Sequence, residues 1–289
     1  MRKKYFIGFM FIFFTTGALF AQDDLLNQLN NQSPTEKQIV PAAFKGLQIC
    51  NMQSTKLPAQ GEWYMVVSHR FGDLTNGLDN FFGLDNALTK IGGIYGATNW
   101  LSLGASRHTY NKLYELTAKY KFANQIEDGF PVTIVGYNTM DINSELKKAA
   151  NPGIKFTNRL AYTSQLIVSR KFSESFSFEV APIYLHKNLY EYGIDHKDQF
   201  FVGAGARYKL SKRLSLNLEY AARLEFVEGF VSPYQNPLSV GLDIETGGHV
   251  FQLVFSNSQP MNDVAVFSNT TGNWNGGSIY FGFNMYRVF

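Results

Sequence analysis

The chain has 289 residues, a formal net charge of +3, 17% charged residues and 16% aromatics. So small a positive excess, with no Lys or Arg run that suggests a phosphate track, argues against nucleic acid as a partner. One cysteine, Cys50, excludes an internal disulfide and any paired-cysteine metal or covalent haem site.

The N-terminus opens with Met1, Arg2, Lys3 and Lys4, followed by the apolar run YFIGFMFIFFTTGALFA. A basic start and a short apolar stretch predict a secretory signal peptide over 1–21, cleaved after Ala21. The apolar run falls short of the ~20 residues that a spanning helix requires. Residues 22–43 are polar and read as a linker, and residues 22–60 form a periplasmic N-terminal segment and candidate plug.

From about residue 45 to the end, period-two alternation dominates, broken by Gly, Asn, Asp and Ser. EWYMVVSHRF (62–71) sets Trp63, Met65 and Val67 against Tyr64, Val66, Ser68 and Arg70. Further strands are predicted at 89–96, 99–108, 112–122, 130–139, 156–170, 173–186, 199–210, 213–224, 236–245, 248–257 and 277–289. Tight links such as LSKR (210–213) alternate with long polar segments such as 72–89, 187–198 and 256–275. The expected architecture is all-β: an antiparallel up-and-down transmembrane β-barrel of about 12 strands, residues 61–289, in the cell outer membrane. It should have short periplasmic turns and longer extracellular loops. An even count leaves both ends periplasmic, so the strand-like run FKGLQICNMQ (44–53) is placed out of the wall, against or inside the barrel.

The last strand puts Phe281, Phe283 and Met285 toward lipid and Tyr280, Asn284 and Tyr286 inward, with Phe289 at the inner rim. A terminal aromatic on an alternating strand resembles the signal read by the barrel assembly machinery. Arg287 departs from that pattern, and its long side chain can reach the interface.

Alternation turns charges of both signs inward: Arg70, Glu115, Lys119, Lys121, Arg159, Glu179, Arg207, Glu219, Arg223 and Asp243. Such groups need water or opposite charge around them. A polar pore and a blocked, ion-paired lumen are both open readings. Outer-side histidines lack carboxylates at ligand spacing, so no metal or cofactor is expected. Ser106 and His108 share a strand face, whereas the neighbours Ser68 and His69 do not. One Ser–His pair without a placed acid is thin support for an enzyme, and no catalytic residue is assigned. Loop aromatics Phe81, Phe82, Tyr190, Tyr192, Phe226, Phe230, Tyr234 and Trp274 either bind a solute or partner or cap the barrel.

Beyond general barrel grammar, VSHRFG (67–72), FKGLQICNMQS (44–54), APIYLHKN (181–188), NPLSVGLDIETGGHVFQLVFSNS (236–258) and FGFNMYRVF (281–289) stand out as specific stretches. Together they resemble a family of Bacteroidota outer-membrane barrels of no assigned activity. The resemblance spans about residue 44 to the end. It implies fold and compartment, while the barrel pattern and the terminal strand give outer-membrane lipid and, during biogenesis, the assembly machinery as expected partners. The functional expectation is a narrow channel or transporter for small solutes. The alternatives are a closed barrel that docks a protein partner through its loops or N-terminal segment and, further off, a membrane hydrolase.

Overall fold

The computed structural model describes residues 38–226, 232–247 and 249–289. The expected signal peptide, residues 22–37 of the N-terminal segment, Phe230 and Gly248 lie outside the described residues. Twelve strands run up and down: β1 (Trp63–Asp73), β2 (Leu88–Gly96), β3 (Leu101–His108), β4 (Leu113–Ala123), β5 (Thr133–Asn143), β6 (Leu160–Lys171), β7 (Phe176–Lys187), β8 (Asp198–Lys209), β9 (Leu214–Leu224), β10 (Leu238–Thr246), β11 (His249–Ser256) and β12 (Tyr280–Val288). Each pairs antiparallel with its chain neighbours, and β1 pairs with β12 to close the wall. Trp63 and Phe289 exchange backbone hydrogen bonds of 3.3 and 2.9 Å at that seam. Closure leaves no strand edge facing lipid, where an unpaired backbone group would cost several kcal/mol, roughly.

Alternation in the sequence becomes alternation across the wall. In β8, Phe200, Val202 and Tyr208 are exposed, while Gln199, Phe201, Gly203, Gly205 and Arg207 are buried. The outward set forms an apolar belt that includes Met65, Leu103, Leu116, Leu166, Leu218 and Phe255. Aromatics crowd its inner border, with Trp63, Trp100, Phe122, Phe172, Phe176, Tyr208 and Phe289 all exposed. This is the girdle expected at a membrane interface. Outward arginines sit near the rims, each over a ring: Arg107 over Tyr114 at 4.5 Å, Arg170 over Phe172 at 5.1 Å and Arg287 over Phe289 at 4.7 Å.

Three local expectations change. β5 begins at Thr133 rather than 130, because Asp128 takes a left-handed φ of 52° and Pro131 offers no N–H for the ladder. Strand β6 begins at Leu160, so Arg159 closes a short 3₁₀ turn (Phe156–Arg159) above the wall instead of lining it. The loop rhythm also inverts once. The outer link 109–112 is tight, with Asn111 and Lys112 at positive φ, while the inner link 124–132 is long. That inner link receives the incoming chain, with Val40 N–H bonded to the Gln125 carbonyl at 2.9 Å.

Candidate functional site

The interior is filled from both ends. From the inner side, residues 44–55 enter as a tight hairpin: Ile49 N–H bonds the Met52 carbonyl at 2.8 Å, and Ser54 N–H bonds the Leu47 carbonyl at 3.1 Å. Phe44, Leu47, Ile49, Cys50 and Met52 are all fully buried. Wall side chains satisfy the hairpin's main chain. Glu219 of β9 accepts the backbone N–H of Cys50, Asn51 and Met52 at 2.9, 2.8 and 2.9 Å. Lys119 of β4 donates to the carbonyls of Leu47, Ser54 and Lys56 at 3.0, 2.9 and 3.3 Å. Gln252 and Asn217 donate to the Ile49 carbonyl at 2.5 and 3.3 Å, and Asn284 to that of Cys50 at 2.7 Å. At the tip, the Arg70 guanidinium reaches the Asn51 side-chain oxygen at 2.9 Å and Asn284 at 3.1 Å.

Glycines in the wall make sockets for this hairpin. A Cβ at Gly205 would stand 2.2 Å from Ile49 Cδ1, and one at Gly241 would stand 2.6 Å from the Cys50 sulfur. Contacts that close leave room for hydrogen alone. Burial pushes the Cys50 thiol well above its ordinary range, and the carboxylates of Glu219 and Asp243 add to that. The thiol is therefore inert while the hairpin is seated.

From the outer side, the link between β11 and β12 folds back into the lumen. Its helix α1 (Asp263–Ser268) is buried along its whole length. Val264, Val266 and Phe267 join Met52 of the hairpin and Val135, Tyr137, Ile167, Ile183, Leu185 and Phe201 of the wall in one apolar cluster. Arg223 of β9 donates to the Phe267 and Ser268 carbonyls at 3.3 and 3.4 Å, serving the helix C-terminus. Gln165 donates to Asp263, and Asn262 donates to Asp141 at 2.7 Å. Burial first, then the charge of Glu115, pushes the Asp263 carboxyl up to about 7.

The remaining inward charges are distributed by depth. Near the outer rim, Lys90 pairs with Glu115 at 2.7 Å, both buried. At the inner end, Glu245 meets Lys45 at 3.0 Å and Arg207 at 3.6 Å, and Asp243 accepts from Gln252 at 2.6 Å. Glu179 is fully buried beside the hairpin's wall, and Lys121 lies half-buried toward the inner end. Phe281, Phe283 and Met285 stand on the outward face, half-buried, with Phe289 exposed at the inner rim. Two spaces persist. One, of 30 Å³, lies between the hairpin and strands β1–β4 among Lys90, Glu115, Lys119 and Tyr286. The other, of 420 Å³, opens at the outer mouth above α1.

A family model described as "Membrane bound beta barrel domain (DUF5777)" matches residues 44–289. The chain belongs to this family. The match begins at Phe44, so the lumen hairpin and the wall form one family unit. A closed antiparallel barrel of a membrane-bound family resides in an outer membrane. No curated protein matches this DUF5777 chain. Among solved structures it is similar to a KdgM porin, at 10% identity and TM-score 0.48, covering 78% of this chain and 99% of that one. It is also similar to the NanC porin, at 9% identity and TM-score 0.49, covering 78% and 98%. An outer membrane channel from Pseudomonas putida shares 14% identity at TM-score 0.46, covering 81% of this chain and 97% of that one.

In this DUF5777 barrel the Ser106–His108 pair does acquire an acid, but in the wrong place. Glu115 Oε2 accepts from Ser106 at 2.8 Å and lies 3.3 Å from His108 Nε2, the same nitrogen that meets Ser106 at 3.0 Å. A catalytic relay needs the acid on the far nitrogen. His108 Nδ1 is buried without a partner. The group buffers the Lys90 charge and offers no activated hydroxyl. His69 turns outward against Phe71 and Phe283, and outward His186 bonds Asp198 at 2.6 Å. Sequence reasoning missed the inserted helix. The apolar run Val264–Phe267 was its signal, being too hydrophobic for a loop in water. Of the loop aromatics, Tyr190 and Tyr234 line the outer space, Phe226 meets Phe200 edge-to-face at 5.5 Å, and Trp274 donates to the Leu238 carbonyl at 2.9 Å.

Proposed function

We propose that this chain is a narrow outer-membrane channel for small polar solutes, closed at rest and opened when its hairpin withdraws. One observation carries this reading. Polar wall side chains hold the hairpin's main chain, with Glu219 clamping three consecutive N–H groups, while the hairpin's apolar side chains pack in separate clusters against the wall. Water can replace each of those bonds once the segment leaves. The 30 Å³ space along β1–β4, about the room one water needs, lies directly beside the seated hairpin. Charges of both signs on the wall then face a hydrated path.

Planar bilayers test the reading. The intact chain should give rare, brief conductance events, and Glu219→Gln should raise their frequency. If the folded barrel is silent in both forms, conduction is refuted and a closed scaffold that docks a partner takes its place.

A further inference from the structure

The outer space of 420 Å³ falls within the roughly 300–1,000 Å³ range of small-molecule sites. Its charges separate into two groups. Lys187 and Asp195 neutralise each other at 2.5 Å, and Glu191 stands exposed at the rim. Asp141 and Arg159 are not paired with each other. Asp141 is 2% exposed, and its Oδ1 has no hydrogen-bond partner. The Nε–H of Arg159 and the side-chain oxygen of Asn262 are likewise buried and unpartnered. All three residues line the same space.

Unpaired buried polar atoms are costly, and native structures supply nearly all of them with a partner from the protein, ordered water or a ligand. Two acceptors and one cationic donor call for a particular partner. A simple anion would satisfy Arg159 alone, and a simple cation would satisfy Asp141 and Asn262 alone. Asp141 also sits directly opposite Glu115 across the β4–β5 ladder, a like-charge placement that an ammonium relieves. Leu113, Leu160 and Tyr110 supply an apolar side to the space.

We infer that the outer mouth is a binding site for a small zwitterion with an apolar side chain, of the class of a free amino acid or short peptide. Its ammonium rests on Asp141 and Asn262, and its carboxylate on Arg159. The site is complete with the lumen closed, so it stands independently of whether the barrel conducts.

Titration calorimetry and saturation-transfer NMR on the intact barrel in detergent micelles provide the test. L-leucine is the probe, with isoamylamine and 4-methylpentanoate as single-charge analogues and maltose as a neutral polyol. Leucine should bind at least about tenfold more tightly than either analogue, as expected when a charge-assisted bond is lost. Arg159→Gln, outside the wall, should reduce leucine affinity by about tenfold while 4-methylpentanoate loses its binding and isoamylamine keeps its own. Asp141→Asn should do the converse. If Asp141→Asn fails to fold, the Arg159 variant and the analogue series still decide. Equal affinity for leucine and its analogues, tighter binding of maltose, or no contact signal for leucine would each overturn the assignment.

Discussion

Replacing Glu219 by Gln is the sharpest probe of the seated hairpin. Both carboxylate oxygens are engaged: one takes the N–H groups of Cys50 and Met52, and the other takes that of Asn51. A glutamine amide keeps one acceptor oxygen, and its NH₂ must face a backbone N–H. At least one charge-assisted bond, worth about 1.5–3 kcal/mol, is lost, and a buried donor stays unpaired at about 1–3 kcal/mol. Easier desolvation of the neutral amide returns part of this, leaving about 2–4 kcal/mol against the seated state. That is roughly a thirty- to thousandfold rise in the unseated population. The protein carries its own reporter, since Cys50 is its one cysteine and lies in the hairpin at 1% exposure. Maleimide labelling of the folded barrel in detergent or liposomes should accelerate by the same factor, because only the unseated thiol reacts. Unchanged labelling in a barrel that still runs as a folded species on heat-modifiability gels would refute the clamp.

Three other outcomes follow from the interior. Gly205→Leu places carbon where Ile49 Cδ1 stands 2.2 Å from a Cβ position, so it should expel the hairpin and raise Cys50 labelling without opening the wall. Glu115→Gln leaves the buried Lys90 ammonium without its counter-charge, and urea unfolding in lipid vesicles should show a loss of about 3–5 kcal/mol. Restoring balance with Lys90→Met in the same chain should recover most of it. Asp263, pushed up to about 7 by burial and by Glu115, binds its proton more tightly in the inserted loop than in a released one. Insertion is therefore strongest below the released-state carboxyl value of about 4, and it weakens as pH rises through about 7. Hydrogen exchange of the 263–268 amides, corrected for intrinsic rates, should show falling protection over that window and a flat profile in Asp263→Asn.

The wall was legible because a strand's period of two is a local property. Trp63, Met65 and Val67 on one face, with Ser68 and Arg70 on the other, identify a lipid side and a lumen side with no knowledge of any neighbour. Twelve such runs, evenly counted, imply closure. The inward direction of Glu115, Lys119, Glu219 and Asp243 follows from the same parity. Arg159 was misplaced because parity has no meaning in the turn that precedes a strand, and a four-residue error in where β6 begins moved it from wall to mouth.

What the inward groups do could not be read locally. Glu219 and Cys50 lie 169 positions apart, and only barrel closure brings the carboxylate onto three consecutive N–H groups of the hairpin. Inward glycines at 205 and 241 read as weak strand residues until Ile49 and Cys50 occupy the space they leave. The same holds for the loop that carries α1, whose apolar face has no partner until Phe201 and Ile183 converge on it from different strands. Alternation, a nearest-neighbour property, determined the barrel, its membrane face and its compartment. Contact between residues far apart in the chain decided that the lumen is filled, which charges are spent in filling it, and which line the outer mouth.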